Sequence, residues 1–234
     1  MAEYFYSPLS VMLLISLVLL AILLLPLLFL GIIGSALSKL GFGLWQAVFL
    51  VFAMIIGSFI NIPAGKIKNE AAAVRVPHGN LLNKNYSAPD FSSETKVYVN
   101  AGGCLIPLLV SAYLLVRVYS APEFQGVFLP AMTGIAVVSL VTHWMAKPVS
   151  GVGIKAPFFI PPLCALLCGI ILSGGITVAA PVIAYVSATA GTLIGADLLN
   201  LKKAGKYGIL SVSIGGAGTF DGIFPAGIIA AFPV

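Results

Sequence analysis

Seven stretches of nearly continuous apolar side chains run along the chain, at approximately 8–34, 41–62, 98–118, 126–146, 156–173, 176–199 and 208–232, with short polar joints between them. About 20 apolar residues suffice to cross a bilayer as a helix, so the pattern predicts about seven transmembrane helices. The fifth stretch is short and opens on the proline cluster PFFIPPL (157–163). It is expected to begin as a broken or re-entrant piece, which is tolerated at membrane depth only where protein or a polar cavity shields it.

The one long hydrophilic interval, roughly 63–97, carries two pieces with the β-branched and aromatic content of short strands, AAVRV (72–76) and TKVYV (95–99). PHGN (77–80) supplies a turn signal between them. A third strand candidate, ILSVSI (209–214), precedes the last apolar stretch on the same side of the chain. A small sheet capping one end of the helices is one reading of these pieces; ordinary loop is the other.

Composition agrees with the pattern. Hydrophobic residues make up 60% of the 234 residues, charged residues only 8%, and mean hydropathy is +1.10. A soluble domain of this length would need a charged surface, so the expectation is an all-α polytopic membrane protein. It reads as a single integral membrane domain over 1–234, with 63–97 as a loop or cap within it. Glu3 and the absence of Lys or Arg ahead of the first apolar stretch argue for a retained helix rather than a cleaved signal.

The basic residues orient the stack. Ten of the twelve (Lys66, Lys68, Arg75, Lys84, Lys96, Lys147, Lys155, Lys202, Lys203 and Lys206) fall on one face of the predicted arrangement, against Lys39 and Arg117 on the other. The positive-inside rule then places the ten-residue face and the N-terminus in the cytoplasm, and the C-terminus outside the cell membrane. These residues form no dense stripe, so nucleic acid is not an expected partner. Membrane lipid is. Cys104, Cys164 and Cys168 all lie in apolar stretches with no His or carboxylate near in sequence, and read as small buried hydrophobes. No metal or other cofactor is expected.

Polar residues at membrane depth are costly and therefore functional candidates. His143 reads as an interfacial histidine beside Trp144 and Lys147. Asp197 and Asp221 stand apart, as the acids inside apolar stretches; the other five carboxylates are terminal or in loops. They lie on consecutive antiparallel stretches joined by a short loop. Gly215, Gly216 and Gly218 disfavour regular helix ahead of Asp221, and a helix starting near Thr219 would bring both acids level near the cytoplasmic end. Two facing carboxylates in a low-dielectric site share one proton. Such a pair can activate water against a peptide carbonyl, with Gly215, Gly216, Gly218 and Thr219 admitting an extended, membrane-embedded peptide. The same pair could bind and release a proton or cation during transport. A capping or solvated role is the plain alternative, stronger for Asp197 than for Asp221.

Two further patterns concern packing. Ser187, Gly191 and Gly195 form a face of small residues from which Asp197 is displaced by helical periodicity, so that face can dock a helix while the acid points into a cavity. Asn80-Leu-Leu-Asn83 and Asp197-Leu-Leu-Asn200 form a short echo, each followed by V-x-x-G-G (99–103 and 212–216). Parallel internal repeats occur in transporters.

The motifs PVSGVGIKAPFFIPPL (148–163), GTLIGADLLNL (191–201) and GGAGTFDGIFPAGIIA (215–230) resemble a prokaryotic, largely archaeal family of integral membrane proteins known as domain of unknown function 1614, from about Asn61 to the end. That resemblance implies a membrane location and no particular activity. A more distant similarity is to intramembrane aspartyl proteases of the presenilin and signal-peptide-peptidase class, which pair an Asp on one helix with a GxGD motif on the next. It implies catalytic roles for Asp197 and Asp221. The sequence departs from that class in three places. Two residues separate Gly218 from Asp221, Ala196 rather than Tyr precedes Asp197, and Pro225-Ala226-Gly227 stands in place of a Pro-Ala-Leu motif.

Overall fold

The computed structural model describes residues 8–68, 94–124, 126–149, 153–176, 178–207, 209–216 and 223–234. AAVRV, PHGN, the first half of the echo, Gly218, Thr219 and Asp221 lie outside the described residues. The helices are α1 (Pro8–Lys39), α2 (Leu44–Gly57), α3 (Ile106–Ser120), α4 (Phe128–Met145), α5 (Ile160–Leu172), α6 (Ala180–Thr192), the short α7 (Leu201–Lys206) and α8 (Ile223–Ala231). Two π-helical turns adjoin them, Ala101–Leu105 ahead of α3 and Leu193–Leu198 after α6.

Seven of these helices fall within the seven apolar stretches. Among the described residues, four spans are long and apolar enough to cross a membrane: Ser10–Lys39, Ala101–Ser120, Phe128–Met145 and Ala180–Lys206. α2 and α5 have 14 and 13 residues, about 20 Å of helix each, which is less than a typical hydrocarbon core. The second apolar stretch is therefore not all helix. Helix α2 ends at Gly57, after which the Ser58 side chain bonds the Ile55 carbonyl and the chain turns into a strand at Asn61. α5 starts only at Ile160, with Pro161 and Pro162 in its first turn, where a missing N–H costs nothing.

α6 is the axis of the bundle. All of its 13 residues are buried, and α3, α4, α5 and α8 pack around it. Small residues permit the close approach. Gly191 faces Val138 of α4, Gly195 faces the Ser139 carbonyl, Gly134 of α4 faces the Ser187 hydroxyl, and Gly169 of α5 faces Ala180 and Ala184. The small-residue face therefore docks α4. α1 meets the bundle only near its C-terminal end, through Ile33, Ala36, Leu37 and Leu40. There Lys39 Nζ donates to the Phe232 carbonyl at 2.6 Å and Arg117 donates to the Leu40 carbonyl at 3.1 Å. The two cations that sequence assigned to the minority face thus share one end of the bundle with the C-terminal segment.

The opposite end carries the sheet. Strand β1 (Asn61–Lys68) pairs antiparallel with β2 (Glu94–Asn100), and β2 pairs in parallel with β5 (Ser211–Ile214), in the order β1-β2-β5. β3 (Lys147–Val149) and β4 (Gly153–Lys155) form a separate hairpin. Of the two readings the sequence left open, sheet and loop, the structure has the sheet: TKVYV lies in β2, and the last four residues of ILSVSI form β5; β1 and the hairpin were not foreseen. An exposed ion pair, Lys66 Nζ to Glu94 Oε2 at 2.7 Å, links β1 and β2. The hydrogen bond from Glu94, and then its charge, raise the Lys66 pKa.

The echo has a structural meaning. Val97 pairs with Val212 and Val99 with Ile214, so the V-x-x-G-G segments lie side by side, offset by two residues, at the ends of parallel strands. Gly102 and Gly103 open the π turn before α3, and Gly215 and Gly216 follow β5.

Candidate functional site

Asp197 sits in the π turn at the end of the axial helix. Within that turn the Leu199 N–H reaches back five residues to the Ile194 carbonyl. Residues five apart lie on different faces of an α-helix, whereas an i→i+5 turn stacks them. The turn therefore sets Asp197 beside Thr192, and both line one cavity. Asn200, fully buried, holds the widened turn: its Nδ2 donates to the carbonyls of Gly195 at 2.8 Å and Ala196 at 3.1 Å.

The cavity has a volume of about 100 Å³. Pro157 and Phe158 close it on the side of the α5 approach, Ile154 on that of the hairpin, and Ile223 on that of α8. The Asp197 side chain is buried, at 8% exposure. Its Oδ2 accepts the backbone N–H of Gly215 at 2.8 Å across 18 positions of sequence. A backbone amide supplies the partner that a carboxyl oxygen buried this deeply requires.

Gly215 is fixed from the other side as well. Its φ is +73°, and a methyl group there would lie 2.5 Å from Cys104 Cβ and 2.7 Å from Cys104 N. Gly103 approaches the Gly215 carbonyl equally closely, and Gly216 packs on the Asn100 side chain. Asn100 is itself a junction. Its Oδ1 accepts the Gly103 N–H at 2.7 Å, and its Nδ2 donates to the Ser58 carbonyl at 2.7 Å and to Asn61 Oδ1 at 3.1 Å. Ser213 donates to the same Asn61 oxygen at 2.6 Å. The end of α2, three strands, the first π turn and the glycine motif are thereby tied into one knot, and Asp197 bonds to its edge.

Of the residues singled out in the sequence, the structure brings together Asp197 and Gly215, with Gly216 one residue further along. Asp221, Gly218 and Thr219 lie outside the described residues. Their described neighbours do converge: Gly215 bonds Asp197, and Ile223 lines the Asp197 cavity. Thr192 and Asn200 were missed as site residues, and Asn61 and Asn100 stood out in the sequence only as polar residues close to the ends of apolar stretches. The spacing of Asn200 from Asp197 was visible in DLLN, but the π turn that gives it a role leaves no mark in the apolar pattern. Among the described residues no cluster of three or more His, Cys, Asp or Glu could hold a metal ion.

Residues 55–232 match the family described as Protein of unknown function (DUF1614), and the chain belongs to that family. No curated protein matches the chain, and no solved structure does. The distant similarity to presenilin-type proteases finds no support in these matches.

Proposed function

We propose that this is a polytopic membrane hydrolase in which Asp197 and Asp221 act as a carboxylate pair on peptide bonds of membrane-embedded substrates. The observation that carries the reading is the bond from Gly215 to Asp197. It fastens the glycine motif, six residues ahead of the second acid, to the first acid. The return of the chain to the same cavity at Ile223 supports it further.

In this reading one carboxylate takes a proton from water while the protonated partner donates to the carbonyl oxygen, and the roles reverse as the amine leaves. Gly215 and Gly216 offer backbone without side chains to an extended substrate. The sheet end, rich in lysine, faces the cytoplasm. α1 then starts on the cytoplasmic side and ends with Lys39 and Phe232 on the other.

The test is cleavage of a transmembrane peptide by the purified protein in liposomes. Asp197→Asn and Asp221→Asn should each abolish it, and undiminished cleavage by Asp221→Ala would sink the reading. A second reading, proton- or cation-coupled transport through the same acids, is favoured by the run of buried hydroxyls leading away from Asp197. Gradient-driven uptake that is lost in Asp197→Asn, without any cleavage by the native protein, would favour it.

A further inference from the structure

Membrane helices ordinarily satisfy Ser and Thr hydroxyls on their own backbone, bonding the carbonyl three or four residues back. This chain does so at Ser16, Ser111, Thr133 and Ser173, with donor–acceptor distances of 2.9 to 3.1 Å. Buried hydroxyls that make no hydrogen bond among the described residues lie on α6 (Tyr185, Ser187, Thr189 and Thr192) and on α4 (Ser139 and Thr142). Ser187 and the α4 pair lie in the close α4–α6 contact, which leaves Tyr185, Thr189 and Thr192.

Their spacing, 185, 189 and 192, puts all three on one face of α6. A methyl group on Gly227 of α8 would lie 2.6 Å from Thr189 Oγ1 and 2.9 Å from the Tyr185 ring, so that face looks onto α8. Thr192 lines the Asp197 cavity together with Ile223, one helical turn before Gly227. Tyr185 and Thr189 bring their hydroxyls into each other's neighbourhood without forming a bond of proper geometry. The π turn adds Asp197 to the same face. A polar seam thus starts at the acid and runs about 10 Å along α6, taking 1.5 Å per residue from Thr192 to Tyr185.

A buried hydroxyl without a partner keeps its desolvation penalty uncompensated, and three in register on the most enclosed helix call for a partner. Ordered water is the small ligand that bonds otherwise orphaned buried groups, typically making about three hydrogen bonds. We propose that the α6–α8 seam binds a file of water molecules, entering at the Asp197 cavity and held by the hydroxyls of Thr192, Thr189 and Tyr185. The file gives the acid a supply of water from within the bundle. It does not depend on the hydrolytic reading, because an ion-translocating acid would use the same file.

The experiment measures hydration, not activity. Thr189→Cys, Thr192→Cys and the control Val186→Cys are made in full-length protein whose three native cysteines are replaced by alanine. Each is reconstituted in liposomes and treated with methylmercury, and bound mercury is read by intact mass. Thiols react as thiolates, which form only where water reaches them. The expected result is modification of Thr189→Cys and Thr192→Cys at least about tenfold faster than Val186→Cys, the contrast of a wet site with a dry one. Equal rates at Thr189→Cys and Val186→Cys overturn the proposal. Where a cysteine variant does not fold, the isosteric Thr189→Val decides. Loss of a water-bonded hydroxyl lowers Tm by about 2–4 °C per kcal/mol lost, whereas an unchanged or raised Tm overturns the file. Cleavage that fails while mercury labelling succeeds rejects the hydrolase and leaves the water file standing.

Discussion

The Asp197 carboxylate and the Gly215 backbone amide, 18 residues apart, meet at 2.8 Å and join the axial helix to the end of the sheet. The bond needs an acceptor at Asp197 but not a charge. Asp197→Asn keeps an oxygen in place, so it should fold with little loss while abolishing any acid–base activity. Asp197→Ala leaves the Gly215 N–H without its partner and should cost about 1–3 kcal/mol as well. Thermal unfolding of the two variants side by side separates the roles; equal stability would remove the bond from the account.

Gly215 should tolerate no side chain. Its positive φ disfavours any L residue, and the first atoms met by a methyl group belong to Cys104, including its backbone nitrogen. Gly215→Ala should therefore destabilise by more than about 2 kcal/mol, from strain and overpacking together. Cys104→Gly should not restore it, since the backbone clash remains. Rescue by that second change would show that only the side chain mattered.

Asn200 is expected to respond to chemistry more than to size. Asn200→Asp has nearly the same shape but replaces two donated bonds by oxygens facing the Gly195 and Ala196 carbonyls. It should be more destabilising than Asn200→Leu, which loses the bonds without adding repulsion, by on the order of 1 kcal/mol or more. Chemical denaturation of both variants in detergent checks the order, and the reverse order would argue that packing dominates.

The proposed sidedness has its own test. Cysteines placed at Lys39 and at Lys206, in sealed vesicles of known orientation, should react with an impermeant thiol reagent from opposite faces. Labelling of both from one face would contradict the separation of the Lys39–Phe232 end from the sheet end.

Much of the helical content was legible because seven of the eight described helices draw on an apolar stretch; the short α7 does not. TKVYV and ILSVSI were legible as strands because β-branched residues alternate there with polar ones. β1 was not, since Phe59-Ile60-Asn61-Ile62-Pro63-Ala64-Gly65 continues the apolarity of α2 and hydropathy carries no period once both faces are apolar. Asp197 was legible as a candidate through its cost in an apolar setting. What it touches was not, because the contact depends on a π turn and on a parallel strand pairing, both of which are set by tertiary packing. The hydroxyls of Thr189 and Thr192 were overlooked, and Tyr185 stood out only as a polar residue inside its stretch, for a simpler reason: neutral polar groups barely lower the hydropathy of a segment, yet burial makes them expensive.

The turn at Leu193–Leu198 is a wide turn inserted into an otherwise α-helical course, and such a turn is a matter of length rather than composition. Five residues apart in ordinary α geometry, Asp197 would stand about 140° around the helix from Thr192, and the wide turn brings it back to the same side. Removing one residue from the turn, Ala196 for instance, would let the helix close into ordinary α geometry with the acid four positions from Thr192, still on its face. The aim of the acid is thus encoded as a residue count matched to the width of the turn, and the two can change only together.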